Sequence, residues 1–198
     1  TKRAAKPMSF PPTTGFPNRL PFTYTADPAP SRKHPDSKQT VLTDSVWQNA
    51  VNQSVQYDAD VTVIADLGRI VRLQELHLMA FLRRTEFEVA DVKLWTSPNG
   101  KLWRSLGSVK DSETGSGADP GVHFSREIKQ PCRFVKLQVA KAADAKRILL
   151  GELLLIEDRE VEIADTVPAP ATPMQVKIAL DEALLAAVVQ YLYGSAVT

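Results

Sequence analysis

Val92-Lys93-Leu94-Trp95-Thr96-Ser97 alternates apolar and polar side chains, and Pro98-Asn99-Gly100 breaks it before Lys101-Leu102-Trp103. A period of two is the mark of a half-buried strand. Asn-Gly tolerates the positive φ angles of a tight turn, and Pro98 fixes the approach to it. The stretch predicts an antiparallel hairpin whose second strand opens at about residue 101 and carries Trp103. A chain built around it belongs to the β class.

The flanking sequence repeats the signal. Val61, Val63, Ala65 and Leu67 share one face of a strand that Asp66 to Gly68 closes. Leu76, Leu78, Ala80 and Leu82 alternate with His77, Met79 and Phe81 in a second strand over residues 71–82. Residues 83–90 form a charged connection, and the Ser-, Gly- and Asp-rich residues 108–121 a surface loop. Short strands follow at 122–128 and 134–139, the latter with Val135, Leu137 and Val139 facing one way, and a last strand runs over 148–156. About seven short strands without an intervening helix predict a β-sandwich, which buries the alternating faces and removes most free edges.

The ends differ in composition. Residues 1–22 hold Pro7, Pro11, Pro12, Pro17 and Pro21 and read as an extended tail, and residues 23–41 as a loop pressed on the domain. Residues 158–173 form a proline-punctuated linker. Residues 174–194 then carry Val176, Leu180, Leu184, Val188 and Leu192 at helical spacing behind a Thr172-Pro173 cap, with Gly194 as the stop. Such an apolar stripe docks on the sandwich, pairs with a second copy to give a homo-oligomer, or opens a further domain.

The 198 residues hold 24 Lys or Arg against 23 Asp or Glu, a net charge of +1. That balance gives no bulk drive toward nucleic acid. No apolar run approaches a membrane span, and the one cysteine, Cys132, excludes an intrachain disulfide. There is no Ser-His-Asp spacing, no glycine-rich phosphate loop and no histidine pair at metal spacing, since His34, His77 and His123 lie far apart. The chain does not read as an enzyme. It starts at Thr1 without a signal peptide, which suggests a piece of a longer protein.

The order Leu42-Thr43-Asp44, Trp47, Asp66-Leu67-Gly68, the strand to Leu82, the hairpin from Val92 to Trp103, Arg133-Phe134-Val135-Lys136-Leu137 and Gly151-Glu152-Leu153 resembles the coagulation factor V/VIII type C, or discoidin, domain. The resemblance covers residues 23–157. The missing disulfide brings it nearest in character to the family-32 carbohydrate-binding modules of bacteria. It implies an all-β, eight-stranded jelly-roll sandwich of the galactose-binding-domain type, here with a short C-terminal α-helix. It also implies a secreted, periplasmic or cell-surface accessory module that binds glycans. The competing expectation is a structural or protein-interaction module without a sugar site, packed on a neighbouring domain or assembled through the helix.

Two sites follow from the resemblance. A structural calcium would lie between Asp44 and Glu152, with backbone carbonyls completing its oxygen shell; Ser45, where the family has glycine, counts against it. A sugar would sit at the loop end of the sandwich, where relatives place an arginine after the second long strand. Phe81, Arg83 and Arg84 occupy that place, with His34 and Trp47 in the neighbouring N-terminal loops. Residues 141–147, Lys-Ala-Ala-Asp-Ala-Lys-Arg, lack the family's aromatic platform, and Lys141, Lys146 and Arg147 suit an acidic glycan better than a neutral one. Trp47 and Trp103 are expected in the core, His77 as a satisfied face residue, and Glu86 and Glu88 at the surface.

Overall fold

Val61, Val63, Ala65 and Leu67 are all buried, as their alternation requires, yet the strand does not stop at Gly68. In the computed structural model, which describes residues 18–46, 50–112 and 121–159, one strand runs through the corner. The elements are β1 (Thr23–Asp27), β2 (Val55–Tyr57), β3 (Val61–Phe81), β4 (Val89–Ser97), β5 (Arg104–Ser108), β6 (Lys110–Ser112), β7 (Gly121–Lys141) and β8 (Ile148–Glu157), with a 3-10 turn at Val41–Thr43. All pairings between these strands are antiparallel.

The long strands β3 and β7 belong to two layers each. Asp66 pairs with Phe134, and the next pair is Val71 with Cys132, so four residues of β3 face one of β7. That mismatch bends the ribbon. Gly68 takes φ 75 at the bend, and Asp66 grips Arg133 across it through two hydrogen bonds of 2.8 and 2.9 Å. Before the corner β3 pairs with β1 and with the end of β7, which also carries β4 and, beyond it, β5. After the corner it pairs with β8 and the start of β7, with β2 and β6 on the outside. Val63, Leu78, Leu94, Leu137 and Leu153 come from both layers and meet in one buried cluster.

Several expectations change. The stretches at 61–68 and 71–82 are one strand, as are 122–128 and 134–139, because a bulge turns a strand without ending its pairing. Residues 23–41 contain an edge strand, β1, whose Tyr24 is buried and donates to Asp36. Asp36 in turn accepts the Thr40 amide at 2.9 Å, which folds the following turn. The hairpin does not close on Asn99-Gly100. Ser97 Oγ accepts the Gly100 amide at 2.9 Å, and Asn99 Oδ1 accepts those of Lys101 and Leu102 at 3.0 Å each. These side-chain caps hold a wider loop, so the second strand starts at Arg104 and leaves Trp103 in the loop. Trp103 is half-buried and outside the core. Asn18 to Leu20 pair with the end of β8 through hydrogen bonds of 2.8 and 2.9 Å. The 174–194 helix, most of the linker and Trp47 lie outside the described residues.

Candidate functional site

Three loops converge at one end of the sandwich. The turn after β3 is clamped by Arg83 and Phe87, which exchange backbone hydrogen bonds of 2.9 and 2.8 Å, with Thr85 at φ 64 inside it. The loop before β8 is laced to this turn by the Lys146 and Arg147 amides on the Glu86 carbonyl at 3.1 and 3.2 Å. The loop after β1 is laced to β2 by the Gln56 amide on the His34 carbonyl at 3.1 Å. Between them His34, Gln56, Arg83, Phe87, Arg147 and Leu149 line a cavity of about 140 Å³.

His34, Arg83 and Arg147, separated by up to 113 positions in sequence, therefore share one site. Phe81 does not line it. At 1% exposure it lies in a small cluster with Ala50, Phe87 and Leu149, so its role is support. Phe87 is the ring of the cavity, and the Arg83 guanidinium lies over it at 5.1 Å, a cation–π contact. Arg84 is exposed in the turn and Lys146 is exposed on the neighbouring loop; neither lines the cavity. Val51, 70% exposed, adds an apolar residue to the lining.

Two of the cations here share one carboxylate. Glu86 accepts Lys146 Nζ at 2.7 Å and Arg147 at 3.0 Å, and these contacts, led by the Lys146 hydrogen bond, hold its carboxyl below the usual range. Lys141 Nζ is bonded to the Ala142 carbonyl at 3.1 Å. What the cavity offers is directed hydrogen bonding more than net charge. Gln56 shows this most plainly. Its Nε2 donates to Asp58 at 2.6 Å and to Ser31 at 3.2 Å, while its Oε1 is buried without a partner. A buried acceptor left unpaired is costly, and Ser54 Oγ lies 3.3 Å from His34 Nδ1 beside it.

The second site lies on β8. Glu152 is fully buried, and both its oxygens accept the Ser45 amide at 3.1 and 3.2 Å, with Arg19 at 3.6 Å. Ser45 reaches this bond at φ 69, so it adopts the glycine-like conformation despite its side chain. Burial first, and then the charge of Asp44, push the Glu152 carboxyl up to about 8, against the pull of the Ser45 amide and Arg19. Glu152 is thus withdrawn from water, whereas Asp44 is exposed and its Oδ1 accepts the Val46 amide at 2.8 Å. A calcium there would take Asp44 and Glu152 as its side-chain ligands and would compete with the backbone amides that both already accept. Among the described residues no three His, Cys, Asp or Glu side chains converge, so backbone oxygens would complete the shell.

Sequence reasoning missed a further pair. His77 Nδ1 lies 2.9 Å from His123 Nε2 with the rings stacked, and His77 Nε2 lies 3.0 Å from Glu75. The two histidines stand 46 positions apart, and only the β3–β7 register, with His77 opposite Ser125 and Met79 opposite His123, brings them together. The hydrogen bonds form a chain rather than a set converging on a point.

With the sandwich and its loop-end cavity established, known structures of like shape can be compared. A family-32 carbohydrate-binding module of NanJ from C. perfringens, solved with galactose, matches at a TM-score of 0.51 and 12% identity, over 71% of this chain and 98% of its own. The chain has the discoidin-type jelly-roll fold of these modules. CpGH89CBM32-5 from Clostridium perfringens, solved with GalNAc-β-1,3-galactose, matches at 0.50 and 15% identity, over 70% of this chain and 99% of that one. No family model matches the sequence, and no curated protein does. At such identities the fold is what the two share with this chain.

Proposed function

We propose that the chain is a non-catalytic carbohydrate-binding module of a larger bacterial protein, exported and active on or displayed with polysaccharide. The observation that carries this reading is the loop-end cavity, where His34, Arg83 and Arg147 gather around Phe87 beside the unpaired Gln56 Oε1. Guanidinium donors and a partly apolar wall complement a sugar, whose hydroxyls accept and whose ring carries apolar C–H faces. The solved modules of this fold that hold galactose and GalNAc-β-1,3-galactose support it. No helix among the described residues is long and apolar enough to cross a membrane. Calorimetry against galactose, N-acetylgalactosamine and acidic oligosaccharides tests the reading. Binding that falls at least tenfold in Arg83→Ala supports it, and the absence of binding across a broad glycan array would sink it.

Calcium between Asp44 and Glu152 is part of the proposal. Bound there, it would neutralise the opposed carboxylates and tie the 41–46 loop to β8, and Arg19 would have to yield its place. Calcium is expected to raise the melting temperature relative to excess chelator, and identical melts would count against the site.

A specific observation also favours the second reading, a protein-interaction module without a sugar site. The 141–147 loop has no aromatic platform, and Glu86 occupies Lys146 and Arg147. The 174–194 stripe would then serve in assembly. Light scattering of the chain beside a Leu184→Asp variant tests this, and the same monomer mass in both would remove self-association.

A further inference from the structure

Arg147 stands in the wall of the loop-end cavity, and residues 86–88 hold it from both sides. Its amide donates to the Glu86 carbonyl at 3.2 Å, and its own carbonyl accepts the Glu88 amide at 3.3 Å. Its guanidinium Nη2 donates to Glu86 Oε2 at 3.0 Å, while Lys146 Nζ takes the other oxygen, Oε1, at 2.7 Å. Each oxygen of the carboxylate is thus assigned, and the two cations, Lys146 first, hold it ionised at neutral pH. Glu86 also belongs to the turn that carries Arg83 and Phe87, since its amide donates to the Arg83 carbonyl at 3.0 Å.

This places a fixed negative charge against a cavity that otherwise lacks one. The lining includes Lys33, His34, Arg83 and Arg147 and, among the described residues, no Asp or Glu. Asp58 touches it only through the neutral Gln56 side chain, at 2.6 Å. A guanidinium grips a carboxylate best through two parallel N–H bonds, and either fork of the group uses Nη2. Glu86 already holds Arg147 Nη2, so a ligand carboxylate would have to share that nitrogen and face a like charge. A hydroxyl needs one donor. Nε and Nη1 of Arg147 have no partner among the described residues and can supply it.

We propose that Glu86 is a specificity-determining residue of the loop-end cavity. It holds the place that a ligand carboxylate would take on Arg147 and so turns the cavity toward neutral sugars and against uronic acids. Lys146 and Arg147 read alone suggest the reverse preference. The inference rests on the cavity being the sugar site.

The test is calorimetry of the full chain with galactose and galacturonate, two sugars that differ only in a hydroxymethyl or a carboxylate at C6. The native chain binds galactose the more tightly. Glu86→Gln keeps an oxygen for Lys146 and Arg147 and removes the charge, and the galacturonate-to-galactose affinity ratio rises about tenfold or more. Glu86→Asp keeps the charge, and its ratio stays within about twofold of native. A relative gain for one sugar does not arise from a damaged fold, so a structural role alone would not move this readout. Galactose binding with an unchanged ratio in Glu86→Gln overturns the proposal and leaves the cavity as the sugar site. The same gain in Glu86→Asp, or a native preference for galacturonate, overturns it equally. A native chain that binds neither sugar overturns both this proposal and the reading of the cavity on which it rests.

Discussion

Acid should loosen the sandwich at the buried histidine pair. His123 is 9% exposed, and burial, followed by the charge of His77, lowers its pKa from the usual 6.5 to about 4. His77 is lowered too, by burial, with Glu75 acting in the opposite sense. At neutral pH the chain is satisfied by one tautomer of each ring, His123 Nε2–H donating to His77 Nδ1 and His77 Nε2–H to Glu75. A second proton on His77 would set N–H against N–H at 2.9 Å. The folded state thus binds fewer protons than the unfolded one between pH 6.5 and about 4, and stability falls as pH drops through that window. A depression of this size caps the loss at about 3 kcal/mol, and solvent access around the ring reduces it to about 1–2 kcal/mol. Urea melts at pH 7.5 and pH 4.5 should show that loss, equivalent to roughly 2–8 °C in melting temperature. His123→Gln should lose less over the same interval by about that amount. The same pH slope in both proteins would refute the argument.

Other outcomes follow from single contacts. Gly68 holds φ 75 with nothing within 4 Å of an added Cβ, so Gly68→Ala isolates backbone strain and should cost about 1–2 kcal/mol in denaturant melts. Arg133→Ala removes the grip on Asp66 and the guanidinium over Phe134 at 4.9 Å; both residues are partly exposed, and the denaturant midpoint should fall by less than in Gly68→Ala. Leu78→Ala empties a fully buried position of the core and should cost about 2–5 kcal/mol.

The core of β3 and β7 was legible because alternation records burial residue by residue. Val61, Val63, Ala65, Leu76, Leu78, Val135, Leu137 and Val139 all face inward as their spacing demands. The corners were not legible, since Asp66-Leu67-Gly68 looks the same whether a strand ends there or bends. β1 and β2 were too short for a period to show, and the prolines around β1 suggested loop. Phe81 was misread for a related reason. It stands on the face of β3 away from the main core, but that end is covered as well, by Ala50, Phe87 and Leu149. Trp103 was expected inward because the tryptophans of the resembled fold belong more often to its core than to a ligand platform. Which strand it joined depended on the Asn99 and Ser97 caps, and these moved the strand start past it. At the loop end, residue type and loop position were enough to select His34, Arg83 and Arg147. The Glu86 bridge to Lys146 and Arg147 depended on tertiary register, so charge counted along the sequence overstated what these two leave free.

That charge accounting sets how binding at the loop end responds to salt. At the loop end Lys146 and Arg147 spend their charge on Glu86, with contacts of 2.7 and 3.0 Å. A ligand there gains hydrogen bonds to positioned donors, which are short-ranged and little affected by ions in solution. Between about 0.1 M and 1 M salt the Debye length falls from about 10 Å to about 3 Å. Galactose affinity should therefore change by less than about twofold over that range. Titrations at the two ionic strengths measure that change in one series. A tenfold or larger drop for this neutral sugar would mean that screened charge rather than positioned donors holds it, and the hydrogen-bonding account of the cavity would be wrong.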